Sequence, residues 1–255
     1  KGITQNIEEG YFHQLGINAI WMTPVVEQIH DGTDEGTGFS YGFHGYWTKD
    51  WTAFDPNFGT AEEVKNMVEK AHQHGIRIVF DGVINHTGPV TPQDAVWPEN
   101  WVRTTPACDY KNYKNTTACT LVANLPDILT ESEQNVDLPA ALVEKWKKEG
   151  RYEQEVKELD AFFARTGYPR APKYYIIKWL TDYITEYGID GYRADTTKHL
   201  EEGVWAEFKK QCDYTFTDWK KNNPGKILDN NAFYTTGEVS GYNISGGLYY
   251  DFGDK

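Results

Sequence analysis

A chain of 255 residues with a formal net charge of −13 can bury a sizeable core as one large domain or two small ones. Hydrophobic residues at 39% and charged residues at 25% mark it as globular rather than disordered. The acidic balance argues against a nucleic-acid or anionic-membrane partner, because both need clustered Lys and Arg, and no apolar run approaches the ~20 residues of a membrane span.

In chain order, Ile3, Ile7, Phe12 and Leu15 recur at near-helical spacing and Gly16 stops that segment. Residues 17–23 then read as a buried strand. Thr60 to Gly75 carries the best helix signal. Thr60 and Glu63 form a capping box, Val64, Met67, Val68 and Ala71 an apolar stripe, and Gly75 stands where a left-handed C′ residue belongs. Residues 76–80 form an apolar strand. From Gly82 to Arg170 the helix–strand rhythm breaks, whereas ordinary connections run to about six residues. This stretch predicts an inserted subdomain, with a polar first half that holds two cysteines and a charged helix-like part near residues 139–165. Pro172 opens a helix that Gly188 closes. Residues 189–194 give a short strand, residues 202–221 a helix, and residues 232–238 a fourth strand.

Helices alternating with strands imply parallel strands joined by helical crossovers. The units outside the insertion are too few for a closed eight-stranded barrel of ~250 residues. An open doubly wound sheet and a partial barrel both remain on this pattern.

Three polar clusters fall at strand ends: DGVINH at 81–86, GYRADTTKH at 191–199 and GEV at 237–239. Carboxyl ends of parallel strands form the active face of such folds. Side chains alternate along a strand, so Arg193 and Asp195 point the same way, and a guanidinium favours an ionised carboxylate. Glu238 follows an apolar strand, where partial burial would raise its pKa and keep it an acid. One carboxylate and one carboxylic acid are the equipment of glycoside hydrolysis. Each residue alone has a duller reading: a structural ion pair, a solvated strand end or, for His86, a satisfied histidine. Aromatic residues at 15% permit stacking on sugar rings without requiring it.

These clusters resemble the α-amylase family, glycoside hydrolase family 13. DGVINH is similar to its first signature, GYRADTTKH to its second and GEV to its third. LPD at 125–127 resembles the short signature near the end of the family's inserted subdomain, and GYW at 45–47 its substrate-stacking loop. The EQIH segment at 27–30 and the long insertion resemble periplasmic-type bacterial members. The resemblance implies an α/β fold, a (β/α)₈ TIM-barrel-type catalytic domain incomplete in this chain. Residues 1–81 would supply barrel strands two and three, residues 82–170 subdomain B after the third strand, and residues 171–255 strands four and five. The fourth signature has no counterpart, so the chain is expected to be a fragment whose partner is the remainder of its own polypeptide.

By position, the resemblance makes Asp195 the nucleophile and Glu238 the general acid and base, with Arg193 holding Asp195 ionised. His86 and His199 would bind sugar hydroxyls, Lys198 a neighbouring glucose, and Tyr46 would stack on the distorted ring with Trp47 alongside. Asp81 would be a support. The substrate would be an α-1,4-glucan such as starch or maltodextrin; a cyclodextrinase or transglycosylase, or an inactive carbohydrate-binding homologue, is the alternative. A structural Ca²⁺ is implied on Asn85, Asp127 and the His199 carbonyl, all oxygen donors suited to a hard cation, although Asn85 and Asp127 could equally cap turns.

Cys108 and Cys119 could form a bridge inside the insertion or remain buried thiols. Cys212 reads as a buried thiol. Polymer hydrolysis points to a periplasmic or extracellular site, and the start at Lys1 without a signal-type segment leads us to expect a targeting peptide absent or already removed.

Overall fold

The computed structural model describes residues 1–34, 36–94, 97–109 and 116–239. The amino-terminal periodic segment is two short helices, α1 (Gly2–Glu8) and α2 (Tyr11–Gln14), rather than one. Gly10 lies between them at φ 76°, a left-handed conformation that no helix interior accepts. Strand β1 (Ala19–Trp21) follows. Next come elements that hydrophobic patterning missed: β2 (Val26–Gln28), the two-residue strands β3 (Thr33–Asp34) and β4 (Phe39–Ser40), and β5 (Thr48–Phe54). Strand β2 pairs antiparallel with β5 through two register irregularities, and it buries Glu27 and Gln28 where alternation would lead one to expect apolar side chains.

Helix α3 (Ala61–Gln73) has the expected capping box. The Thr60 hydroxyl accepts from the Glu63 N–H at 3.3 Å and the Thr60 N–H donates to Glu63 Oε2 at 3.1 Å. Strand β6 (Arg77–Gly82) extends two residues beyond the apolar run and carries Asp81 into the sheet. The segment that follows holds β7 (Val102–Arg103), β8 (Asp127–Ile128), α4 (Ala140–Lys148) and α5 (Tyr152–Thr166). The charged stretch is therefore two helices, separated at Gly150 with φ 73°. Cys108 and Cys119 are joined by a disulfide, and Cys212 is a buried thiol.

Helix α6 (Pro172–Tyr187) begins on a proline that needs no hydrogen-bonded N–H and is buried along most of its length. Even Lys178 lies inside, its ammonium donating to Asp182 at 2.7 Å and Glu158 at 2.9 Å. Trp101 of the inserted segment is fully buried and stacks on Trp179 of α6 at 6.0 Å between ring centroids, so one aromatic cluster joins the insertion to the helical layer. Strand β9 (Gly191–Ala194), helix α7 (Glu202–Asn222) and strand β10 (Tyr234–Gly237) complete the described chain.

The sheet order is β1-β6-β9-β10, all parallel, with helical crossovers: four consecutive strands of a (β/α)₈-type barrel wall. Gly188 shows how tightly the wall meets its helices. It adopts φ +68°, and a Cβ there would sit 2.1 Å from the Trp219 ring. Gly188→Ala is expected to destabilise the protein by about 2–4 kcal/mol through backbone strain and overpacking, read as a lower urea midpoint at unchanged slope.

Candidate active site

Pairing in parallel brings like strand ends to one level. Asp81 of β6 is opposite Arg193 of β9, which is opposite Thr236 of β10. The ladder continues beyond the strands: the Asp195 N–H donates to the Gly82 carbonyl at 3.0 Å, and the Glu238 N–H to the Ala194 carbonyl at 2.8 Å. Three carboxyl groups from three strand ends thereby meet one guanidinium. Arg193 Nη1 donates to both Asp81 oxygens, at 3.1 and 3.0 Å, and to Asp195 Oδ1 at 2.6 Å, while Nη2 lies 3.2 Å from Glu238 Oε2. Glu238 lies near enough to Asp195 for its charge to oppose ionisation of that carboxyl.

Burial decides the charge of this cluster. Asp81 and Asp195 are 3% and 5% exposed, and loss of water pushes both carboxyls up to about 6 against the pull of Arg193. The expectation that Arg193 keeps Asp195 ionised therefore holds only above that pH; desolvation is the larger effect. Glu238 is partly buried, as the end of an apolar strand leads one to expect, with its side chain 38% exposed.

The Glu238 carboxylate is aimed by a strained residue. Thr196 has φ +49°, an uncommon conformation for a β-branched side chain, and its N–H donates to Glu238 Oε2 at 3.0 Å. Tyr46 donates its hydroxyl to Asp81 Oδ2 at 3.0 Å, and burial pushes this phenol well up, so it remains a donor. Trp21, which the motif reading overlooked, donates Nε1–H to the same oxygen at 3.0 Å. The Trp21 and Tyr46 rings flank the guanidinium, with centroids 5.2 and 5.7 Å from the Arg193 carbon. The only sequence signal for Trp21 is an aromatic residue closing an apolar strand. Trp21, Arg193, Tyr234, Thr236 and Glu238 line a cavity of about 770 Å³.

The other candidate residues surround this cluster. His86 is buried, contacts the Tyr46 carbonyl through Nε2 at 3.1 Å, and is held neutral by burial, its pKa lowered to about 4. Trp47 is buried in a small cluster with Ile29 and Leu125. Lys198 and His199 lie in a single 3₁₀ turn, Thr197–His199, directly after Asp195. His199 Nδ1 is 2.8 Å from the Thr116 carbonyl, and the Thr116 hydroxyl donates to the Lys198 carbonyl at 3.1 Å, which fastens this turn to the inserted segment.

Asn85 and Asp127 are neighbours across a short bridge. The Ile128 N–H donates to the Asn85 carbonyl at 2.8 Å, and His86 pairs with Asp127. Both are nearly fully buried. Asp127 Oδ2 accepts from Arg103 Nε at 2.9 Å, yet burial still raises its carboxyl to about 8. Among the described residues no three Asp, Glu, His or Cys side chains converge on one point, so any cation here would depend on amide and carbonyl oxygens as well.

Comparison with known proteins agrees with this layout. The α-amylase catalytic-domain family ("Alpha amylase, catalytic domain") matches residues 1–236. The periplasmic α-amylase of Escherichia coli (strain K12) is 32% identical over 99% of this chain, which spans 43% of that protein. A cyclomaltodextrin glucanotransferase from Bacillus sp. (strain 1011) is 27% identical over 86% of this chain and 29% of its own length. The fold matches the crystal structure of the Geobacillus thermoleovorans α-amylase complexed with acarbose, with a TM-score of 0.65 at 24% identity over 98% of this chain and 42% of that one. The chain thus spans less than half the length of the relatives it matches. Four barrel strands, an insertion after β6 and a carboxyl cluster at the strand ends, together with a family match that runs through β6 and β9 to residue 236, place this chain in the α-amylase family.

Proposed function

We propose that the protein containing this chain is a retaining glycoside hydrolase that cuts α-1,4-glucosidic bonds in starch or maltodextrins. The observation that carries this reading is the Arg193 guanidinium bound at once to Asp195 and Glu238. A retaining mechanism needs two carboxyl groups close together, about 5 Å apart, of which one attacks and the other transfers a proton. Asp195 attacks the anomeric carbon while Glu238 protonates the departing glucosidic oxygen. Glu238, now a carboxylate, takes a proton from water, and that water displaces Asp195 from the sugar. Transfer to a sugar hydroxyl in place of water gives transglycosylation, and likeness to a glucanotransferase supports that as a second outcome at the same site.

In this reading Tyr46 lies under the reacting ring and is positioned by Asp81, while His86, Lys198 and His199 take sugar hydroxyls. Freshly released product from the full-length polypeptide acting on maltoheptaose is expected to carry the α-anomer by NMR; β-anomer would overturn the mechanism. The disulfide and the likeness to a periplasmic protein support a periplasmic or extracellular location. No described helix is long and apolar enough to cross a membrane.

The donor set of Asn85, Asp127 and the His199 carbonyl suits Ca²⁺, which would supply a buried positive charge tying the insertion to the barrel. The burial of the Asn85 amide and the Asp127 carboxyl on adjoining backbone supports this assignment. Ca²⁺ at a hundredfold excess over its Kd is expected to stabilise the chelated full-length protein by about 2.7 kcal/mol. Thermal melts with and without chelator check this, and Asp127→Asn should remove the difference.

A further inference from the structure

Phe39, Tyr41 and Phe43 are 69%, 53% and 77% exposed, three large aromatic rings within five residues. Single exposed apolar side chains are ordinary, but a contiguous patch beside a site marks a ligand surface. This patch is seated on the backbone. A Cβ at Gly32 would lie 2.9 Å from the Tyr41 ring and 3.0 Å from the Phe39 ring, so both rings occupy the space a side chain would fill. Pairing of Thr33 with Ser40 and of Asp34 with Phe39 holds the turn that presents them.

The Phe43 end of the patch is connected to the carboxyl cluster. The Phe43 ring meets the His44 ring edge-on at 5.3 Å, His44 stacks on Tyr46 at 5.9 Å, and Tyr46 donates to Asp81. We propose that Phe39, Tyr41 and Phe43 form a remote platform for an α-glucan, gripping sugar units beyond the ring held at Tyr46 and favouring long chains. The proposal rests on the glycosidase reading above. Sugar rings present apolar C–H faces to flat aromatic surfaces, and the line of rings leads to the catalytic carboxyls. The net charge of −13 opposes an anionic lipid surface as occupant.

The test uses the full-length polypeptide carrying Asp195→Asn, so that bound glucan is not cleaved, with maltotriose and maltoheptaose titrated calorimetrically. The parent is expected to bind maltoheptaose about tenfold more tightly than maltotriose through the added ring contacts. Adding Phe39→Ala, Tyr41→Ala and Phe43→Ala together is expected to erase most of that difference. Phe43→Ala alone, at a position 77% exposed and therefore safe for folding, should erase part of it, and Phe43→Trp should restore it. An undiminished length preference in the triple variant overturns the platform. So does an equal loss for both sugars, which would mark a merely structural role. A parent that binds neither sugar would overturn the glycosidase reading itself, an outcome visible before any platform variant is made.

Discussion

Asp195→Asn is expected to lower turnover of a maltodextrin by at least about 10³-fold while the fold persists, because it removes the proposed nucleophile and leaves the surroundings in place. The amide has the same shape and its oxygen can still accept from Arg193 Nη1. Its effect on stability should have the opposite sign to its effect on activity. The Asp195 carboxyl titrates at about 6 in the folded protein because burial penalises its charge, against about 3.9 in an unfolded chain. The folded state therefore binds more protons between those values, and this residue's contribution to stability falls as pH rises from about 4 to about 6, then levels off. A neutral amide lacks that fall. Urea midpoints at pH 5 and pH 8 should show wild type losing ground relative to Asp195→Asn by on the order of 1–3 kcal/mol. Near-normal turnover, or a variant gap indifferent to pH, would remove Asp195 from the proposed role. In the full-length enzyme the same titration should give kcat/KM an acid limb near pH 6, since the proposed mechanism needs this carboxylate charged.

Arg193→Leu should have the largest effect on stability. The guanidinium is bound to Asp81, Asp195 and Glu238 together, and the first two are almost fully buried. Removing one partner of a buried ionic cluster costs about 3–5 kcal/mol, chiefly through the stranded charges. Arg193 draws the Asp81 and Asp195 pKa values down, so its loss lets both rise further and the folded protein pays most where they would be ionised. The loss should accordingly be large at pH 8 and shrink toward pH 5, where protons take the place of the cation. Denaturant melts of wild type and variant at the two pH values decide this; equal losses at both would show that packing, not charge, explains the residue. Arg193→Lys should fall between, since an ammonium keeps the charge but cannot fork to Asp195 and Glu238 at once.

Much of this architecture was legible because chain punctuation is local. Thr60 with Glu63, Gly75, Pro172 and Gly188 mark helix ends through backbone groups within a few residues, and the structure places α3 and α6 between them. The Arg193–Asp195 alignment followed from strand alternation alone. Strand β2 was not legible: it is three residues long and buries Glu27 and Gln28, so no period emerges. Trp21 and the Thr196 N–H escaped for a different reason. The partners of Trp21 are distant in sequence, and a backbone N–H acquires its role from a φ angle that residue type does not report. The ionisation of Asp195 was misjudged because sequence displays neighbouring charge but not the exclusion of water.

Among the described residues, each acidic group bound to Arg193 comes from a different strand or the residue just after it. A frame shift of one residue between any two of these strands would turn one group to the opposite face of the wall. The carboxyl cluster thus reports on assembly: it forms only in chains whose strands have paired in step, and its signature titration would be missing from a chain paired out of step.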